Sequence, residues 1–306
     1  MGAGAIGSLF GGLLAKAGNE VSFVGRKPHI DEIHQKGLLI EGISGEHRIK
    51  LKVTTDASKL QAPDLIILTV KAYATAQAVQ DVKPLFKDHT YFLCLQNGLG
   101  TEDVASSILG QDRILRGTTS EGVLFLEPGK IRHTGHGETI IGSSNPDDSS
   151  ILRQIQQEFQ KAGFNTTVSS NIKRVVWEKI FVNVAINPFG ALTGLRNGEL
   201  LTIPEIKEAM KAAVLEGVTV TEKLGVQLSE QSPVERAFEV ARKTAQNKNS
   251  MLQDIEKQKK TEIDFINGAL VRYGETVGIS CPINAVLTAL IKGLEKRNEL
   301  TSVEAN

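Results

Sequence analysis

Lys179, Asn183 and Asn187 stand four residues apart in WEKIFVNVAINPFGALTG (177–194), and everything between them is Ile, Phe, Val or Ala. That spacing sets the three polar heads on one face of a helix. A solvent-facing stripe is the plain structural alternative, but solvated faces favour Glu, Lys, Gln and Arg, whereas asparagine is a mediocre helix former. So apolar a remainder implies a helix enclosed on most sides, and inward-facing polar heads need something polar to bond. The stripe reads as substrate-binding. Two further candidates lie downstream. Ser250 opens SMLQ, where its structural role would be a helix N-cap paired with Gln253. Glu262, read on a long helix over 253–278, stacks with Ile255 and Ile266 beside the core-facing Ile263 and Phe265, with an ion pair to Lys259 one turn earlier as the alternative.

A second kind of chemistry opens the chain. Gly2, Gly4 and Gly7 fit GxGxxG, with the helix start at Ala5 and Ile6 between them. The first glycine permits a tight turn, the second lets backbone approach a pyrophosphate, and the third allows close packing, while amides at the helix start meet the phosphates. Such a motif is weak alone, but a helix through Ala17 and a strand in EVSFVGR (20–26) follow at the required interval. At the end of that strand a protein selective for NAD would place an acid; Arg26 stands there, with Lys27 beside it. A planar guanidinium suits a 2′-phosphate, so NADP(H) is preferred over NAD(H); a solvated basic pair is the alternative. Lys71 and Asn97 close two later strands at the end where ligands of open parallel sheets collect, although both also suit ordinary turns. No strand precedes Gly2, so the first strand of the sheet is expected to be missing or truncated. No metal-ligand set stands out.

These groups need a scaffold of two kinds. Up to about Asn165 short apolar runs (20–26, 64–71, 90–98, 138–142) alternate with helical stretches (74–86, 102–109), which predicts a doubly wound, mainly parallel sheet covered by helices. Beyond it, helical periods at 205–225, 253–278 and 283–300 follow one another. The expected division is a dinucleotide-binding domain over 1–169 and an all-α domain over 170–306. With 35 basic and 35 acidic residues among 306, nothing in the charge recommends nucleic acid or an anionic membrane as partner. No run approaches a membrane span and no signal peptide opens the chain. Cys94 and Cys281 fit no CxxC pattern and read as free buried thiols in a reducing cytoplasm. A homodimer is expected.

The motifs GAGAIG, VGR, VKA, QNG, HTGHGETIIG, WEKIFVNVAINPFGALTG, RNGEL, NSMLQDI and KTEIDFINGAL together resemble the ketopantoate reductase (2-dehydropantoate 2-reductase) family over almost the whole chain. The resemblance implies a Rossmann-like domain followed by a helical one, an active site in the cleft between them, and NADPH-dependent reduction of a 2-oxo acid in pantothenate biosynthesis. It implies that Lys179 is the catalytic general acid and Glu262 its acidic partner. Asn183, Asn187, Ser250 and, less securely, Asn197 would bind substrate, Asn97 would sit at the nicotinamide side, and Arg26 and Lys71 would contact the adenosine phosphate end. Tyr73 and Ala74 depart from the pattern, where polar residues are common. The alternatives are a related hydroxyacid dehydrogenase with another 2-oxo acid and a non-catalytic NADPH-binding protein.

Overall fold

The computed structural model describes residues 1–304, which fall into two compact units, 1–96 with 101–172 and 97–100 with 173–304. In the first unit the order is α1 (Ala5–Lys16), β1 (Ser22–Val24), α2 (Lys27–Lys36), β2 (Leu38–Gly42), β3 (His47–Ile49), β4 (Lys52–Thr54), β5 (Leu65–Leu68), α3 (Thr75–Val82), β6 (Tyr91–Cys94), α4 (Thr101–Leu109), β7 (Ile114–Thr119), β8 (Gly122–Glu127), β9 (Lys130–Gly135), β10 (Glu138–Gly142), α5 (Ser149–Lys161) and β11 (Asn165–Val168). The strands pair as β11-β10-β7-β6-β5, with β5, β6 and β7 mutually parallel, as β3-β2-β9-β8, and as the parallel pair β1-β4. Along β6, Phe92 and Cys94 join a core with Val79, Val82 and Ala105 from α3 and α4, whereas Leu93 joins Leu9, Phe10, Ile155 and Phe159 from α1 and α5. A strand that buries alternate residues on opposite faces must have helices on both sides, which explains its unbroken apolar sequence. Phe10 anchors the second core, stacked on Phe164 at 4.0 Å and edge-on to Phe159 at 5.3 Å.

The strand that sequence reading leaves out is represented by two residues. Met1 donates its amino nitrogen to Ile67 O (2.7 Å) and accepts from Thr69 N–H (2.9 Å) on the β5 side, while Gly2 N–H donates to Val24 O (2.9 Å) on the β1 side. They therefore continue the ladder between β5 and β1.

The second unit contains α6 (Ile172–Thr193), α7 (Pro204–Lys223), α8 (Pro233–Lys243), α9 (Ser250–Glu256), α10 (Asn267–Thr276) and α11 (Pro282–Glu304). Its core gathers Phe181, Val184, Met210, Ala213, Leu270 and Ile291, all fully buried. A Cβ on Gly217 would lie 2.6 Å from Leu270 and 2.7 Å from Phe181, so α7 approaches its neighbours closely because that residue is glycine. The Glu216 carboxylate accepts from Ile283 N–H (2.9 Å) and Asn284 N–H (3.1 Å), placing negative charge at the α11 N-terminus.

Here the long helix expected over 253–278 is corrected. It stops at Glu256, Gln258 takes a left-handed φ of 53°, and a 3-10 turn at Ile263–Phe265 precedes α10. The reason is compositional: EKQKKTE (256–262) offers no apolar residue to bury and brings three lysines together, so nothing rewards continuing the helix through it.

Candidate active site

The glycine turn is held by contacts that only glycine permits. Gly2 has φ 98°, and a Cβ there would meet Val70 N at 2.5 Å; a Cβ on Gly7 would lie 2.1 Å from Gly2 O. Thr69, not singled out by sequence reading, fastens the turn by donating its hydroxyl to Gly2 O (2.7 Å). Gly4 is the N-cap of α1, bonded by no side chain, and a Cβ on it would meet nothing within 4 Å. The first-turn amides of Ala5, Ile6 and Gly7 have no intrahelical acceptors, and the first turn carries no acid. Open space over a bare helix N-terminus fits a pyrophosphate. Arg26 lies two residues beyond β1 as the N-cap of α2, exposed, with exposed Lys27 after it, so both cations are available to a phosphate. Half-buried Lys71 lies three residues past β5, at the N-cap of a 3-10 turn (72–74). Gln96 ties that strand end to β6's continuation, its Nε2 donating to Val70 O (2.7 Å) and Thr75 Oγ1 (2.9 Å). Only the neighbouring Asn97 was drawn from QNG.

In the second unit Lys179, Asn183 and Asn187 all lie on α6, the first two half-buried and Asn187 buried. Asn183 Nδ2 is shut off from solvent and has no acceptor among the described residues. A buried donor left unpaired costs about 1–3 kcal/mol, which marks a place for a ligand acceptor. Pro188, inside the same helix, has no N–H and so releases the Val184 carbonyl one turn earlier. Trp177 fixes the helix start by packing edge-on to Tyr273 at 5.4 Å.

Glu262 is brought in by a turn, which corrects its expected helical register with Ile255 and with Lys259. It is the N-cap of the 3-10 turn and is buried. Glu295 on α11 sets the position of that turn, accepting from both the N–H (2.7 Å) and the hydroxyl (2.6 Å) of Thr261. On the far side, Arg272 donates to Asp264 O at 2.8 Å. The same turn receives the loop of Asn97: Leu99 N–H donates to Phe265 O (2.9 Å), and a Cβ on Gly98 would meet the Phe265 Cβ at 2.8 Å. Asn97 and Glu262 are thus carried on abutting segments.

Ser250 is not the N-cap. Asn249 takes that role, accepting from Leu252 N–H (2.9 Å) while its Nδ2 donates to Ile186 O (3.3 Å); Ser250 is the first helical residue of α9 and is exposed, leaving its hydroxyl uninvolved in the cap. The contact to Ile186 seats the α9 start beside Asn187. Asn197 is buried and structurally committed on one side, its Nδ2 donating to Thr244 Oγ1 (2.8 Å), with Oδ1 lacking a donor among the described residues.

A glycine turn feeding a helix N-terminus beside parallel strands, followed by a helical unit that carries a lysine and carboxamides, defines a dinucleotide-binding oxidoreductase architecture. Comparison with known proteins makes this specific. Residues 1–146 match the family model described as ketopantoate reductase PanE/ApbA, and residues 171–295 match its C-terminal counterpart. A 2-dehydropantoate 2-reductase of Pyrococcus horikoshii is 39% identical, with 96% of each chain covered. Among solved structures, a PanE/ApbA family ketopantoate reductase from Ralstonia eutropha superposes with a TM-score of 0.90 at 32% identity, covering 98% of both chains. D-mandelate dehydrogenase in a ternary complex with NADH and anilino(oxo)acetate superposes with a TM-score of 0.92 at 28% identity, covering 97% of both. The chain belongs to the ketopantoate reductase PanE/ApbA family.

Proposed function

We propose that this chain reduces 2-dehydropantoate to pantoate with NADPH, the first unit holding the dinucleotide and the second the oxo acid. The observation that carries the reading is the buried, unpaired Asn183 amide on the same helix as Lys179, four residues away. In the dinucleotide unit the amides of Ala5, Ile6 and Gly7 take the pyrophosphate and Arg26 takes the 2′-phosphate, with Lys71 adding positive charge at the same end. NADPH, when bound, supplies a hydride to the ketone carbon.

The remaining chemistry belongs to the side chains. As the carbonyl carbon gains the hydride, negative charge grows on its oxygen; the Lys179 ammonium meets that charge and transfers a proton to it, giving the alcohol. One such charged interaction lowers the barrier by about 3–4 kcal/mol, a gain of roughly 10² to 10³ in rate. Glu262 accepts a hydrogen bond from the substrate's distal hydroxyl. An anionic substrate beside a carboxylate needs donors to offset the repulsion, and these are Asn183 Nδ2, Asn187 and the exposed Ser250. Asn97 borders the nicotinamide, and Asn197 Oδ1 is a further acceptor. A small diffusible acid as substrate supports a cytoplasmic enzyme; the homodimer is part of the same proposal.

The test is loss of NADPH absorbance on adding ketopantoate, repeated with NADH and with the Lys179→Ala variant. Oxidation of NADPH in preference to NADH is expected, with kcat in the variant lower by roughly 10² to 10³ and NADPH affinity unchanged. Equal turnover by the variant removes lysine from the mechanism. Similarity to D-mandelate dehydrogenase favours a second reading, reduction of a different 2-oxo acid. A substrate panel including benzoylformate separates the two by kcat/KM.

A further inference from the structure

The strand ends at 119–122 and 135–138 hold a cluster that the reductase reading does not use. Here the chain passes from β7 into β8 and, on its return, from β9 into β10, so both connections between the five-stranded and four-stranded sheets run side by side. They touch closely: Ser120 N–H donates to Glu138 O (3.0 Å), and a Cβ on Gly137 would lie 2.2 Å from the Ser120 carbonyl. Glu121 stands in the outgoing connection, His133 near the end of β9 and His136 in the returning one, and one ligand atom from each lies within 4.8 Å of the others.

The hydrogen bonding of this cluster is incomplete. His133 Nε2 lies 2.8 Å from Glu121 Oε2 and 3.2 Å from Gly135 O, two acceptors competing for one proton. His133 Nδ1 and Glu121 Oε1 are both buried and have no partner among the described residues, although each side chain is only 1% exposed. Either ring tautomer leaves Nδ1 unpaired, so moving the proton from Nε2 to Nδ1 sacrifices no bond at Nδ1. It frees an Nε2 lone pair facing two oxygens. A cation satisfies that arrangement better than a shared proton does.

We infer that Glu121, His133 and His136 form a binding site for a divalent transition-metal ion of the zinc class. Two imidazoles and a carboxylate are the donor set such ions prefer over magnesium or calcium. Bonds of about 2.0–2.2 Å in a tetrahedral shell put ligand atoms about 3.4 Å apart, so a spread of 4.8 Å must contract by about 1.4 Å. His133 Nε2 and Glu121 Oε2, 2.8 Å apart, must in turn separate by about 0.6 Å to reach that spacing, and the exposed side chain of His136 has room to adjust. The Gly135 carbonyl or a water completes the shell. Bound there, the ion ties together the two connections between the sheets, a structural role separate from oxo-acid reduction.

The experiment is zinc titration of the tag-free full chain by calorimetry and thermal unfolding, with Co²⁺ as a spectroscopic substitute. One Zn²⁺ per chain is expected, raising the melting temperature, and visible ligand-field bands on adding Co²⁺. His136→Ala alters only an exposed ligand and should weaken zinc binding by roughly tenfold or more and abolish the cobalt bands; Glu121→Gln should do the same. If wild type and His136→Ala bind zinc with the same affinity and stoichiometry, or if wild type binds none, the site does not exist. Neither result depends on whether the enzyme reduces ketopantoate.

Discussion

At Asn183 the needs of folding and of binding pull in opposite directions. Its buried Nδ2 has no acceptor among the described residues, so the side chain costs stability that a bound ligand returns. Leucine has nearly the same shape and carries no polar group. Asn183→Leu should therefore leave the melting temperature unchanged or raise it, while KM for the oxo acid rises about tenfold, equivalent to one lost hydrogen bond of about 1.4 kcal/mol. Scanning fluorimetry and steady-state kinetics on one preparation check both halves. A variant that loses stability instead has an Asn183 that serves the fold. The lysine and asparagine spacing was readable because it contradicts its apolar surroundings. Glu262 was read on the wrong backbone, because its turn is set by Thr261 bonding to Glu295, thirty-four residues away. Local periodicity carries no record of such a bond.

Among the elements, α1 separates two glycine roles. Gly4 has φ −81° and open space about its Cβ position, so Gly4→Ala fits the free protein and obstructs only what approaches the helix start. The variant should melt with wild type yet bind NADPH about tenfold or more weakly, measured by fluorescence titration. A loss of stability would show that the turn itself needs glycine there.

The α2 helix carries His29, whose Nδ1 accepts from Gly129 N–H (2.8 Å), so Nε2–H faces Ser8 Oγ (3.0 Å). Burial lowers its pKa below the ordinary 6.5. The unfolded chain then binds the proton first as pH falls, so this histidine's contribution is constant above about pH 7 and stability declines below about 6.5, until the native ring also protonates. His29→Gln, which can keep a donor and an acceptor, should flatten that part of the urea-stability profile between about pH 7 and pH 5. A slope identical to wild type would assign the pH dependence to other groups. The strands β5, β6 and β10 and helices α3, α4, α7 and α11 were foreseen within a few residues. The strands β2, β3, β4, β7, β8, β9 and β11 were not, and of these β3 and β4 are only three residues long.

On the scale of the whole molecule, both cysteines are free and buried, and burial pushes the Cys94 thiol up to about 12 and Cys281 up to about 11. Neither reacts as a thiolate in the folded protein, so labelling reports opening of the structure. Cys94 lies in β6 within the dinucleotide unit. NADPH at about 100 times its Kd stabilises the native state by about 2.7 kcal/mol, so labelling of Cys94 by a thiol reagent should slow about a hundredfold. Mass spectrometry of each cysteine with and without NADPH measures this, and unchanged labelling of Cys94 would exclude opening that NADPH opposes. No helix among the described residues is long and apolar enough to cross a membrane.

Composition, periodicity and motif spacing were sufficient for the α/β and helical halves, the glycine turn and the polar stripe on α6, and the resemblance of its motifs pointed to the family. All of these are written in residues close together along the chain, where strand alternation, helical repeat and glycine's conformational freedom operate. Folding alone supplied the rest: the ladder from Met1 and Gly2 to strands far along the chain, the anchoring of Glu262 by Glu295, the choice of Asn249 over Ser250 as cap, and the meeting of Glu121 with His133 and His136. Each is a polar contact fixed by tertiary packing, where burial makes one unpaired hydrogen bond costly enough to select the partner.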